Sequence, residues 1–562
     1  MSDPPTLDCN ERAAQAALLS ELADLAPLLS AADDGAATSQ ATALWQELKT
    51  LSWLSLPIMG TMLAQDGMVI TNQVMIGYLV GTTESLAAAG VGNTIFSIAW
   101  FAIVGASSAL DTMGSQSWGA GDRASLLKWG CVCCILLLMM NAVAIGMLAF
   151  AEPIALHLLS QSEETSAMVG TFCCLLIPGV PPFTLTVILH KMLQIQGRVA
   201  PPMLISGVTF LVNIAANFIF IRIFNFNGAP LATSASRVIM LLLTIAYLTR
   251  QPLVPESAHT LSVVATKAPS YWKSRGAFVV LAMQGALMMG LEEGGFNVTT
   301  AFAARLGDVD VAAHAAVISV LGLAFYSFPY AIAVAASIRV GELLGAQKPR
   351  LATVSAYVAV AAGGAFMVLC GTAMACKAHA VGRLFTANDD VVDAIASIAP
   401  LAGIFQASHI FDGIQGTCAG ALRGMGRQRE VLVFTVLGIW CVGIVSSYLL
   451  AFPTGLELRG LWVGTVLGVI ATAVLNSMEL LRVNWHHEAR LAAIRTGTLA
   501  AADAWPAPGE KLPQRCSAKT VEQHGSAAAL KQHASAAEDM PLLASSQRAV
   551  MPAPYAGFPD VA

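Results

Sequence analysis

The stretch Gly276–Ala304, GAFVVLAMQGALMMGLEEGGFNVTTAFAA, carries only two charges, Glu292 and Glu293. At about 1.5 Å rise per residue it is long enough for a helix to cross the ~30 Å hydrocarbon layer of a bilayer. A carboxylate at the centre of such a helix is unfavourable by roughly 2.5–3.5 kcal/mol on insertion scales, so intramembrane acids mark ion or proton pathways. The chain keeps two side by side. An adjacent residue on a helix points about 100° away, so the pair cannot face one cavity together.

Composition agrees with a membrane chain. Of 562 residues, 56% are hydrophobic and 12% charged, with a mean hydropathy of +0.67. A soluble chain carries about 25% charge. The spread of charge over the loops matters more than the net −5. There is no basic stripe with interleaved aromatics, which argues against nucleic-acid binding. The 11 cysteines lie mostly in apolar runs (Cys131, Cys133, Cys134, Cys173, Cys174, Cys370, Cys418), without the paired spacing of a zinc site, and read as small core fillers. No metal site is expected. Residues 1–46 lack the basic start and apolar run of a signal peptide.

Runs near 20 apolar residues predict twelve spans, at 51–79, 86–112, 126–150, 166–190, 200–222, 229–249, 275–304, 311–338, 352–376, 391–421, 430–452 and 458–481. The predicted organisation is a cytosolic N-terminal tail (1–46), a six-helix bundle (47–249), a polar cytosolic linker (250–273), a second six-helix bundle (274–481) and a cytosolic C-terminal tail (482–562). Both tails read as largely disordered. About fifteen Lys and Arg residues, among them Lys49, Lys128, Lys191, Arg250, Arg339 and Arg423, fall on the side of the termini against about five on the other, which predicts cytosolic termini.

The halves repeat at an offset of about 226–229 residues. Leu86-Ala87-Ala88 leads to Gln116 and Gly119-Ala120; Val311-Ala312-Ala313 leads to Glu342 and Gly345-Ala346. Gly197-Arg198 matches Gly426-Arg427. Six spans each way give a parallel repeat, an arrangement in which transporters hold substrate between the halves and rock them alternately open.

A second intramembrane acid, Asp412, stands eleven residues before Arg423, about 16 Å along a helix. Two carboxylates in one low-dielectric cavity are unfavourable when both are charged. They suit an exchanger that takes up a proton and releases it when a cation arrives; the other reading is an acid bonded to a neighbouring helix as packing glue. Gln284 and Asn297 flank Glu292 as candidate cavity-lining hydrogen-bonders, and Gln415 follows Asp412. Asp66 either forms a polar patch in the first half or pairs with Asn213 or Asn217. Asp111 reads as a capping or loop contact. His314 and His409 read as packing histidines. Arg237 is the main candidate for a buried cation. No cluster of nucleophile, base or metal ligands lies at a membrane face, so no enzyme is expected.

The chain resembles the multidrug and toxic compound extrusion (MATE) family. Ser108-Ala109-Leu110-Asp111-Thr112 with Gln116 and Gly119-Ala120 is similar to its second-span signature, and Ala335-Ala336-Ser337-Ile338-Arg339-Val340 with Leu344-Gly345-Ala346 to its eighth. Asp412-Gly413-Ile414-Gln415-Gly416 with Gly420, Leu422-Arg423-Gly424 and Gly426 is similar to its tenth. The resemblance covers about residues 45–487 and is of the eukaryotic type. It implies a MATE/MOP-like all-α integral membrane fold of twelve helices with a pseudo-twofold repeat. The implied function is export of organic cations, drugs or secondary metabolites in exchange for protons, less readily sodium, with no cofactor. Leu291-Glu292 matches the family's seventh-span acid and Asp412 its tenth-span acid. Where many eukaryotic members carry another glutamate this chain has Asn297, leaving Glu293 as a stand-in or a bystander. The alternatives are an organic-anion or metabolite exporter of the same family, and a lipid-type flippase, which would favour a cationic cavity. The chain is expected to act as a monomer. Acidic dileucine patterns end at Leu28 and Leu29 and at Leu542 and Leu543; read by sorting adaptors, they favour a vacuolar or endosomal membrane over the plasma membrane.

Overall fold

The computed structural model describes residues 34–159, 161–253, 257–376, 383, 392–393, 395 and 401–499, with the side chains of a few further helical residues left aside. Residues 500–562 lie outside the described residues, as do the four leucines of the sorting patterns.

Among the described residues, helices occupy all twelve predicted spans and there is no strand. The first six spans are Asp34–Leu79, Thr83–Gly119, Arg123–Ala149, Glu163–Leu176 continued by Val180–Ile195, Ala200–Phe224 and Gly228–Arg250. The last six are Ser257–Ala304, Asp308–Ser327 continued by Pro329–Gly345, Pro349–Cys376, Leu401–Met425, Gln428–Ala451 and Glu457–Arg482. Eight stretches are apolar and long enough to cross a membrane by composition alone, and one of them, 200–250, holds two spans.

Three boundaries differ from the sequence reading. The first helix begins at Asp34, inside the expected tail. The linker is helical from Ser257 and runs unbroken into the seventh span. The C-terminal tail opens with a further helix, Trp485–Thr496, capped by the Asn484 side chain, which accepts from the His487 amide at 3.0 Å. Its Glu488, Ala489, Ala492 and Ala493 are buried; that i, i+1, i+4, i+5 stripe is an amphipathic face too short and too polar to register as a span.

The repeat is visible in the backbone. Spans 2, 4, 8 and 10 end in the same way, with the amides of Asp122, Arg198, Lys348 and Arg427 returning to the carbonyls of Ser117, Leu193, Leu343 and Leu422 at 2.8–2.9 Å. This six-to-one closure requires a left-handed residue, supplied by Gly121 (φ 77°), Gly197 (72°), Gln347 (58°) and Gly426 (89°). These four corners lie on the face that holds both ends of the described chain, here called the terminal face.

One hydrophobic cluster joins both halves near the terminal face, from Leu51, Ala109 and Ile195 through Ala286, Val334 and Leu422. Toward the opposite face the core divides. Ile76, Phe172 and Phe226 belong to a cluster made only by the first half; Ala303, Val317 and Trp462 belong to one made only by the second. The halves are therefore packed together at the terminal face and part toward the other.

Candidate functional site

The seventh span turns its two acids in different directions, as the 100° step requires. Glu292 faces the tenth span and accepts a hydrogen bond from Gln415 Nε2 at 3.4 Å. Glu293 faces the first half, where Ser97 on the second span donates to it at 3.2 Å. Asn297 donates back to the Glu293 carbonyl at 3.0 Å, within its own helix.

Glu292 lines a small cavity with Met288, Met289, Tyr330, Gln415, Gly416, Ala419, Arg423 and Val431. Spans 7, 8, 10 and 11 supply these residues, so the cavity belongs to the second half. Asp412 lies one turn before Gln415, half-buried and within electrostatic reach of Glu292. Gln415 is buried and Oε1 of its amide is unpaired. The site thus holds two carboxylates, one amide and one guanidinium, enclosed by methionines and an aromatic ring.

Arg423 is 4% exposed and sits 5.6 Å from the Tyr330 ring centroid. The sequence reading used it to orient the chain, to set the depth of Asp412 and in the tenth-span signature, not as a site residue. The signal was present: positions 412, 416, 419 and 423 recur at helical spacing, which puts Arg423 on the face of Asp412. Tyr330, Met288, Met289 and Trp440 were also missed. Trp440 donates to the Leu291 carbonyl at 3.0 Å from a π-helical segment, Val436–Ile444. A wide turn of this kind releases backbone groups at functional positions, and apolar sequence carries no mark of it.

Other predicted residues are placed elsewhere. Gln284 is half-buried and does not line the cavity. Of the expected patch of Asp66, Asn213 and Asn217, the two asparagines bond to each other at 3.1 Å and Asp66 bonds elsewhere. Asp66 accepts from Ser327 of the eighth span at 3.3 Å, across the two halves. Asn217 also donates to Asn72 at 2.7 Å, Asn72 to Thr233, and Asn213 to Ser236 at 3.2 Å. A neutral amide at position 72 pairs with Asn217 without burying a charge. Asp111 is neither a cap nor a loop contact: it forms a buried ion pair with Lys191. His314 packs on Trp462, centroids 5.1 Å apart, with neither ring nitrogen hydrogen-bonded. The His409 side chain lies outside the described residues. Among the described residues no group of three metal-ligating side chains occurs.

The terminal face is closed by polar contacts between the halves. Thr112 donates to the Arg423 carbonyl at 2.6 Å, Gln116 to the Gly424 carbonyl at 3.0 Å and Gln428 to Thr112 at 3.1 Å. Arg339 grips Glu47 through Nη2 (2.7 Å) and Nε (3.2 Å) and also holds Glu342 at 3.0 Å. Arg495 of the terminal helix reaches Gln116 at 3.5 Å.

The MatE family model matches the chain twice, at residues 57–219 and 286–449, once in each half. An uncharacterized transporter of Schizosaccharomyces pombe is 30% identical over 462 residues, 80% of this chain and 82% of the relative. Human multidrug and toxin extrusion protein 1 is 29% identical over 463 residues, 79% of this chain and 76% of its own length. The crystal structure of a eukaryotic MATE transporter superposes with a TM-score of 0.74 at 25% identity, covering 81% of this chain and all of that one.

Proposed function

The chain belongs to the MatE family of multidrug and toxin extrusion transporters, and on that premise we propose that it is a proton-coupled antiporter of organic cations. The observation that carries this reading is the pairing of Glu292 with Gln415 beside Asp412 in an enclosed, methionine-lined cavity. A protonated acid pair leaves the cavity without its attraction for a cation; loss of the protons restores it. Each ligand expels the other, and exchange follows from alternating access. The split of the core toward the face opposite the termini, with the excess of basic residues on the terminal face, supports a state open to the exterior with cytosolic termini. Arg423 adds a fixed positive charge to the cavity, which offsets part of the acids' charge.

The test is transport of a fluorescent dye cation into liposomes holding the purified full-length protein, under an imposed proton or sodium gradient. Uptake driven by the proton gradient and lost in both Glu292→Gln and Asp412→Asn is the expected result. Uptake driven by sodium alone, or wild-type transport by both variants, would overturn the reading.

A further inference from the structure

The first half contains a buried positive charge that the antiport reading does not use. Arg237, midway along the sixth span, is 6% exposed. Its guanidinium carbon lies 4.3 Å from the ring centroid of Phe96 and 4.7 Å from that of Phe183. Trp100 stacks on Phe183 at 4.0 Å, planes 11° apart, and on Phe96 at 5.9 Å, planes 12° apart. Gly179 makes room for the side chain, since a Cβ there would approach Arg237 Cδ to 3.1 Å. Three spans and a kinked glycine thus build a slot around one guanidinium.

Its donors are not used. Nη1 is fully buried and hydrogen-bonded to nothing, and among the described residues Arg237 forms no ion pair. One turn from Phe96 on the same helix face, the Asn93 amide nitrogen is likewise buried and unpaired. Aromatic rings favour a guanidinium held against their faces but cannot accept the hydrogen bonds of its N–H groups. Those donors form a planar fork matched to a carboxylate or sulfonate. Ser97, next to Phe96, bonds to Glu293 of the second half, so the helix that carries Phe96 and Trp100 also meets the second half.

We propose that Arg237 is the binding group of a second subsite, in the first half, that takes the carboxylate or sulfonate of a small planar organic anion, with Asn93 as an auxiliary donor and Phe96, Trp100 and Phe183 as its wall. This subsite is chemically opposite to the acidic cavity of the second half, and binding there needs neither Glu292 nor Asp412. The transporter then holds groups for both signs of charge, one in each half.

The test is equilibrium binding of 1-naphthoate to the full-length protein in phosphatidylcholine nanodiscs, beside its neutral analogue 1-naphthamide. Saturable naphthoate binding, with naphthamide weaker by at least about tenfold, is expected, because only the anion answers the fork. Arg237→Gln should lose naphthoate by at least about tenfold and Arg237→Lys by less, a point charge replacing the fork. Glu292→Gln should bind naphthoate as the wild type does, which separates this test from that of the antiport reading. The wild-type comparison of anion and amide needs no variant to fold. Equal affinity for the two, undiminished binding by Arg237→Gln, or no saturable naphthoate binding overturns the proposal. So does an Arg237-dependent retention of phosphatidylglycerol in mixed nanodiscs with no binding of naphthoate, which would assign the slot to a lipid headgroup.

Discussion

Gln415 on the tenth span donates to Glu292 on the seventh at 3.4 Å, and an amide is a partner that suits a carboxyl group in either protonation state. When Glu292 is charged it accepts from Gln415 Nε2; when protonated it can donate to Gln415 Oε1, which is otherwise unpaired. Both states are satisfied by rotation of one amide. Glu292→Gln fixes the neutral form and should reduce proton-driven dye uptake at least about tenfold, a difference of ~1.4 kcal/mol or more. If proton and cation compete for the acids as proposed, wild-type affinity for the dye should fall as pH falls, and the variant's should fall less steeply, Asp412 remaining. Binding measured across pH in detergent checks the sign; parallel profiles would remove Glu292 from the coupling step.

Glu293 predicts a different outcome. Its partner in the other half is Ser97, and Asn297 bonds to its backbone carbonyl. Losing one half-buried hydrogen bond changes an equilibrium by about 0.5–1.5 kcal/mol. Glu293→Gln and Ser97→Ala should therefore keep a proton-coupled profile, with rates altered by roughly threefold to tenfold at most. Loss of coupling in Glu293→Gln would make it a transport acid in its own right.

The spans and the repeat were legible in sequence because each rests on a local pattern: apolar runs for helices, and a glycine after each of three span ends for the corners. The Gln347 corner escaped, since its left-handed backbone has no glycine to announce it. Among site residues, Glu292 and Asp412 were legible because a charge in apolar sequence stands out. Asp66 and Lys191 show the limit. Each was a charge in the right place, but Asp66 bonds to Ser327 and Lys191 to Asp111, partners 261 and 80 residues away. Which buried polar residues meet is decided by helix packing over long separations, and a single chain holds no periodicity that records it. The amphipathic helix at Trp485–Thr496 was missed for a related reason: its buried stripe is mostly alanine, which composition alone assigns equally to a tail.

The Lys191–Asp111 pair gives a stability prediction. Both side chains are nearly inaccessible, at 9% and 3%. Removing one partner leaves a buried charge unpaired, which destabilises by roughly 3–5 kcal/mol, whereas replacing both with apolar residues is often close to neutral. Lys191→Met alone should lower the thermal unfolding midpoint sharply, and Asp111→Leu with Lys191→Met should recover most of it. A double variant no more stable than the single would mean that the pair is required for more than charge balance, as a group that moves during transport.

The bidentate contact from Arg339 to Glu47 ties the eighth span to the helix that leads into the first. The pair is half open to solvent on the arginine side, with 18% of that side chain exposed. Such a contact is worth about 1 kcal/mol, enough to shift an opening equilibrium about fivefold. Glu47→Arg and Arg339→Glu should each open the terminal face, and the charge-reversed double variant should close it again. Spin labels placed on the two halves at that face report the distance directly. A double variant as open as the singles would show that Glu342, the second carboxylate on Arg339, carries the closure.

Gly119 and Gly345 occupy the same place in the two repeats and close the terminal face reciprocally. A Cβ on Gly119 would overlap the carbonyl of Glu342, and one on Gly345 would overlap the carbonyl of Gln116, the counterpart of Glu342. In both cases the obstruction is backbone, which has no rotamer to yield, so the halves themselves must separate. Packed interfaces respond to such overlap by changing state, not by gradual deformation. Both glycines lie at helix ends with ordinary helical backbone, so alanine is tolerated by each half in isolation. Gly119→Ala and Gly345→Ala should therefore leave folding intact, to judge by unfolding midpoints near the wild type's. Each should hold the terminal face apart and stall transport before the return step. The two substitutions act on one interface, so the double variant should add little to either alone. Cysteine cross-linking between the second and eighth spans at this face, efficient in the wild type and weak in all three variants, is the expected pattern; undiminished cross-linking with normal transport would show that the contact relaxes locally and that the glycines are not what lets the halves meet.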